Sequence, residues 1–182
     1  MKKKVAGVIL LLGLLAGAVY STLALFSDSQ VKKGIITTGQ VKIALIEEDA
    51  KGAPYVQGND ILAPGDEINR VVSVENVGNK AAWVRVKVVK NFVVPRADIE
   101  PAELRLIEVD YQSKWVEKDG YYYYQEKLAP GAETEPFFKH VKLNLLADNR
   151  FSSQEINVDV TAVGVQADNN GTTVTDATGW PN

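Results

Sequence analysis

Apolar and polar positions divide this chain into two unlike parts. After Lys2, Lys3 and Lys4, residues 5–27 carry no charge, and the first acid is Asp28. Beyond it the apolar residues come in short runs with a period of two. Ala82, Val84, Val86 and Val88 alternate with Trp83, Arg85 and Lys87, a separation that only extended backbone produces. Val41, Ile43 and Leu45 alternate in the same way within a strand expected over 35–48 and interrupted by Gly39. Ile156, Val158, Val160 and Ala162 alternate with Glu155, Asn157, Asp159 and Thr161, which predicts a half-buried strand. Further strands are expected over 68–75, 104–109, 115–118 and 121–124, and from about 135 to 146. Beyond the uncharged stretch, a helix is expected only around 95–103.

Turn residues separate these runs. Pro64-Gly65 and Asn76-Val77-Gly78-Asn79 close two of them, with proline and glycine suited to successive corner positions of a turn. Asp119-Gly120 is a hairpin signal, so Tyr121, Tyr122, Tyr123 and Tyr124 form its return strand with rings on both faces. Residues 62–67 and 128–133 agree at Leu, Ala, Pro, Gly and the final Glu. With only two copies, this is a recurring turn before two equivalent strands and not a solenoid repeat. About eight strands with a turn signal every ten residues or so predict an all-β, jelly-roll-like two-sheet sandwich, with an immunoglobulin-like sandwich as the alternative.

The uncharged stretch has the features of an export signal: a basic start, an apolar middle, and small residues three and one positions before a cut. Thr22 and Ala24 fit those positions, which places cleavage between Ala24 and Leu25. The competing reading is a retained span, since the run is long enough to cross about 30 Å of hydrocarbon. In either case the leading lysines stay inside and the remainder lies outside the cytoplasm. The expected layout is a signal helix over 1–24, an N-terminal segment over 25–38, a sandwich over 39–167 and a flexible Asn-, Gly- and Thr-rich tail over 168–182.

Composition narrows the chemistry. The chain has 182 residues, and the signal holds three of its 20 basic residues and none of its 23 acidic ones, so the rest carries a net charge of −6. That balance, without a basic patch, argues against nucleic acid as a partner. The absence of cysteine removes disulfides, thiolate zinc sites, thiol nucleophiles and a lipidated cysteine after the signal. A domain exported without disulfides relies on its core, a composition that suits a Gram-positive surface.

Candidate catalytic residues are sparse. The single histidine, His140, reads as a surface residue on the same side as Phe138, Lys142 and Asn144, whereas a zinc hydrolase normally supplies two or three imidazoles. No serine has a Gly-x-Ser-x-Gly setting. Asp148-Asn149 and Asp168-Asn169-Asn170 could touch calcium but lack the spacing of a dedicated loop. Asn170-Gly171-Thr172 matches a glycosylation acceptor. No catalytic residue, metal or cofactor is therefore assigned. Tyr121, Tyr122, Tyr123 and Tyr124 have two readings. They either pin a hairpin beside Trp115 through aromatic cross-strand pairs, or form a candidate edge or groove that accepts another chain.

Several short motifs in order resemble the TasA/camelysin family. They are Leu25-Phe26-Ser27-Asp28-Ser29 directly after the signal, Thr38-Gly39-Gln40-Val41 opening the first strand, Leu62-Ala63-Pro64-Gly65-Asp66, Glu75-Asn76-Val77-Gly78-Asn79, and Val163-Gly164-Val165-Gln166-Ala167. The chain departs from the family pattern at Leu25 and in its tyrosine-rich hairpin. The resemblance implies a jelly-roll subunit of extracellular biofilm-matrix fibres from a Gram-positive bacterium, cut by a SipW-type signal peptidase. Self-assembly would follow from donating the new N-terminal strand, with Leu25, Phe26, Ser27, Asp28, Val31, Ile35 and Ile36 as the donated residues. An accessory matrix protein is a further implied partner, and membrane contact would occur only through the uncleaved signal. The family name also carries a cell-surface metalloprotease reading, which one histidine and no cysteine make a poor fit. A monomeric sandwich that binds a surface is the remaining alternative.

Overall fold

The computed structural model describes residues 36–38, 41–57, 60–152 and 154–181. The expected signal helix lies outside the described residues. Among the described residues nine strands run β1 (Ile36–Thr38), β2 (Val41–Glu48), β3 (Glu67–Asn76), β4 (Ala82–Phe92), β5 (Ile107–Val109), β6 (Trp115–Lys118), β7 (Tyr121–Tyr124), β8 (Phe138–Leu143) and β9 (Ile156–Gln166). They form two antiparallel sheets. One has the order β2-β3-β8-β5, extended at its margin by the three-residue β1, and the other has the order β6-β7-β4-β9. Among the described residues helical structure amounts to two short 3-10 turns, Pro101–Leu106 and Val174–Asp176. The first occupies part of the stretch expected to be helical, and a reciprocal capping box between Glu100 and Glu103 starts it.

The alternation in β4 sorts its side chains as expected. Ala82, Val84 and Val86 join Val41, Ile43, Val72, Val74, Leu143, Ile156 and Val158 in one core between the sheets. Burying such branched aliphatic side chains contributes about 2 kcal/mol each before the cost of ordering the chain. Gly164 of β9 leaves room for β2 of the facing sheet. A Cβ there would lie 3.0 Å from Ile43 Cγ2 and 3.1 Å from Val41 Cγ1. Asp119 (φ 54°) and Gly120 (φ 76°) both take the left-handed conformation, giving the tight β6–β7 hairpin that Asp-Gly predicts.

Two expectations are corrected. Phe138 does not share a side with His140. The β3–β8 register shifts between Asn69 and Val72, so Phe138 is buried in the core together with Val141 and Leu143. A bulge breaks the period of two on which the sequence reading relied. The C-terminal segment is also not a loose tail. Val174 and Ala177 are buried, and they pack with Trp83, Tyr123, Val165, Ala167 and Trp180 as a second apolar cluster on the outer face of the four-stranded sheet.

Candidate functional site

Of the N-terminal residues expected to drive assembly, the structure places Ile36, the first residue of β1. Thr22, Ala24, Leu25, Phe26, Ser27, Asp28, Val31 and Ile35 lie outside the described residues. β1 pairs antiparallel with β2, with Ile36 opposite Ile43 and Thr38 opposite Val41. The end of the 25–38 segment is thus an outermost strand, with three residue pairs to β2 among the described residues.

The tyrosine strand is not an edge. β7 lies between β6 and β4, with Tyr121–Tyr124 opposite Lys118–Trp115 on one side and Tyr122 and Tyr123 opposite Val86 and Arg85 on the other. Its main chain is therefore engaged on both sides and offers no row of free amides. Its rings divide between the two faces. Tyr124 stacks at 5.1 Å on Trp115 and Tyr122 at 5.1 Å on Phe137, both inside the main core. Tyr121 and Tyr123 face outward, under the C-terminal segment.

That outward face holds a feature that alternation alone misses. Arg85, on the face opposite Val84 and Val86, is only 8% exposed. Its guanidinium lies 3.8 Å from the Tyr121 ring centroid and 4.8 Å from that of Trp180, and it donates to the Pro181 carbonyl oxygen at 2.8 Å. Stacking between rings suits guanidinium, which is weakly hydrated and planar. Trp83 Nε1 donates to the Asn170 carbonyl oxygen at 2.8 Å. The Asn170 amide bonds the carbonyls of Gln166 and Thr178 and accepts from Thr178 N. Every polar atom of that side chain is in use, so the glycosylation match falls on a structural asparagine. The unusual concentration of aromatic residues at 121–124, with Trp83 and Trp180, was the available signal.

A second polar cluster closes the core where β2 ends and β3 begins. Arg70, only 3% exposed, binds Glu47 through Nη2 at 2.8 Å and through Nε at 3.0 Å. Its guanidinium also lies 5.1 Å from the Tyr55 ring centroid. Tyr55 donates to buried Asp60. Burial, followed by the Asp60 carboxylate, raises the Tyr55 phenol above its ordinary range, so the tyrosine stays a neutral donor. Lys90 caps a sheet margin from the inside: its ammonium donates to the Ile107 carbonyl oxygen of β5 at 2.6 Å, and burial lowers its pKa.

His140 Nδ1 lies 3.0 Å from Asp110 Oδ2, and Asp110 Oδ1 accepts the amides of Lys139 at 2.8 Å and His140 at 2.7 Å. Partial burial pushes the Asp110 carboxyl up, but those amides and the ring outweigh it and hold it below its usual range. The pair joins the end of β5 to β8. Asp148, considered for calcium, is bound by Arg150 Nε at 3.0 Å through each carboxylate oxygen. Among the described residues no group of three or more His, Cys, Asp or Glu side chains is placed to hold a metal ion. Together these features define an all-β domain of two antiparallel sheets, with its first strand at a margin and its last segment laid over one face. Comparison with family models, curated proteins and solved structures gave no match.

Proposed function

We propose that this chain is an exported structural subunit of extracellular biofilm-matrix fibres, and that identical subunits join when the N-terminal strand of one is donated to the next. The observation that carries this reading is the position of β1. The last residues of the 25–38 segment lie in β conformation at a sheet margin, paired with β2 at three positions among the described residues. So short an outer strand costs little to release, and an extended segment can re-form equivalent main-chain bonds on another sheet. Such a contact is heterologous and need not close, so filaments follow.

The jelly-roll description belongs to the same proposal. From β3 onward the chain changes sheet at every connection except the β6–β7 hairpin, the alternation expected of a sandwich wound from Greek-key turns. The signal would restrain assembly until a SipW-type peptidase cuts between Ala24 and Leu25 at the surface of a Gram-positive cell.

Electron microscopy of protein beginning at Leu25, beside the same protein extended before Leu25, tests the reading. Fibres from the native terminus alone are expected. Monomers from both would favour a surface-binding sandwich instead.

A further inference from the structure

The outer face of the four-stranded sheet holds a buried cation without a balancing charge among the described residues. Arg85 is 8% exposed, and it joins none of the ion pairs of the described residues. A guanidinium cannot shed its proton, and burying a charge without a counterion is costly. The rings of Tyr121 and Trp180 take up its flat surface, which leaves the N–H edges for hydrogen bonds. Those edges are poorly used. Nη2 donates to the neutral carbonyl of Pro181 at 2.8 Å, Nη1 reaches the Tyr123 hydroxyl only at 3.5 Å, and buried Nε has no hydrogen-bond partner among the described residues. A carboxylate would accept two parallel N–H bonds and supply the missing charge, the pairing that a planar guanidinium fits best.

The surroundings favour the same ligand. Lys87, on the same face of β4, holds its ammonium 5.7 Å from the Tyr121 ring centroid, and Lys118 of β6 lies opposite Tyr121. Both lysines are exposed, and neither joins an ion pair among the described residues. The nearby acids are turned to other partners or stand apart. Asp176 accepts the hydroxyls of Thr172 at 3.3 Å and Thr173 at 2.7 Å, and Glu117 accepts the Gly120 amide at 3.0 Å. Asp119 sits in the hairpin turn, and Asp159 lies one step farther along the sheet, opposite Val89. Cations thus gather here on a chain whose net charge is −3.

We infer that Arg85 anchors a carboxylate-binding site, in which the Pro181 carbonyl oxygen holds the place of one carboxylate oxygen. The end of the C-terminal segment is then a resident ligand that an incoming acid displaces. Only that end has to move. The bonds between Asn170 and Thr178 and the buried Val174 and Ala177 hold the rest, and Gly179 (φ 77°) has open space where a Cβ would stand. Lys87 and Lys118 would meet neighbouring carboxylates of a uronic acid polymer, so galacturonate and polygalacturonate are the probes. The site stands apart from the fibre reading and does not depend on it.

Heteronuclear NMR of the full chain reads the site directly, through the Arg85 Nε–H signal, assigned by its loss in Arg85→Lys. Galacturonate should move that signal downfield with saturation, and galactose should leave it in place. Half-saturation by polygalacturonate at a lower carboxylate concentration would identify a polymeric uronate as the source, and equal values would identify a small acid. By calorimetry Arg85→Lys should need at least about tenfold more polygalacturonate, because an ammonium keeps the charge and loses the fork. Lys87→Ala, at an exposed side chain, should need about threefold more. Melting temperature checks that both variants fold, and the Nε–H signal of the unchanged chain decides the matter if Arg85→Lys does not. A stationary Nε–H signal, with shifts confined to the amides of Lys87 and Lys118, would mean adsorption on surface lysines and would overturn the proposal. Equal affinity of folded Arg85→Lys and the unchanged chain, or an equal response to galactose, would overturn it as well.

Discussion

Two polar clusters at opposite ends of the sandwich are built by different means. At the end where β3 turns into β4 the key group is uncharged and wholly buried. Asn76 donates to the carbonyls of Lys80 at 2.8 Å and Leu128 at 2.9 Å, and its side-chain oxygen accepts from Gly78 N at 3.0 Å. Its main chain bonds Ala132 at 2.9 Å and Gly131 at 2.8 Å. At the other end, where β2, β4 and β8 finish, the loops are tied by the ion pairs of Arg96 with Asp98 and of Arg150 with Glu103 and Asp148, and Val93, Val94, Leu145 and Leu146 are left outside. Neutral, fully satisfied hydrogen bonds in a dry site are costly to break and indifferent to pH and salt. Exposed ion pairs are weak and sensitive to both. The Asn76 cluster is therefore fixed, and the ion-paired loops can be adjusted by their surroundings.

Asn76→Ala should have the largest effect. It strands two carbonyls and an amide and should cost about 3 kcal/mol in urea unfolding; a loss below 1 kcal/mol would mean that water replaces the amide. Arg70→Met comes next, at about 2 kcal/mol, because it leaves the Glu47 carboxylate, 25% exposed, without its partner. Adding Glu47→Gln should recover part of that loss, and strictly additive changes would show that the two residues are not coupled. Trp180→Ala should cost about 1 kcal/mol by removing the ring over Arg85. Limited proteolysis should then cut within 168–181 before the body.

The smallest effect concerns acid. Arg96 beside Asp98 holds that carboxyl down to about 2, and Arg150 lowers Glu103 and Asp148. These depressed carboxylates stabilise the fold above their ordinary pKa of about 4, and that contribution is lost as the pH falls toward 2. Amide exchange around 96–103 and 148–150 should therefore quicken in that window, and the Asn76 turn should not respond. Equal quickening at both ends would erase the contrast.

How much of this could be read beforehand depended on whether the cause was local. The β4 face, the Asp119-Gly120 hairpin and the two Leu-Ala-Pro-Gly turns follow from period and backbone preference. Leu62 and Leu128 are both buried, and Gly65 (φ 95°) and Gly131 (φ 73°) both take the conformation that glycine favours. The Phe138 side was missed because a bulge on β3 sets it from across the sheet. The C-terminal layer was missed because residues rich in Asn, Gly and Thr look unstructured until Trp83 and Arg85 are known to lie beneath them. The gathering of the ion-paired loops at one end was equally hidden, since it depends on β4 and β8 running in the same direction. The tyrosine run was noticed for its composition, but only strand order shows that its main chain is enclosed.

The C-terminal layer also gives the protein an optical signature. Of its three tryptophans, Trp115 belongs to the main core, while Trp83 and Trp180 belong to the overlay. Emission from Trp115 alone would report the body, whereas Trp180 would redden and lose the influence of Arg85 as soon as the segment lifts. Two single-tryptophan forms could thus follow the two layers separately, by colour, in the intact molecule.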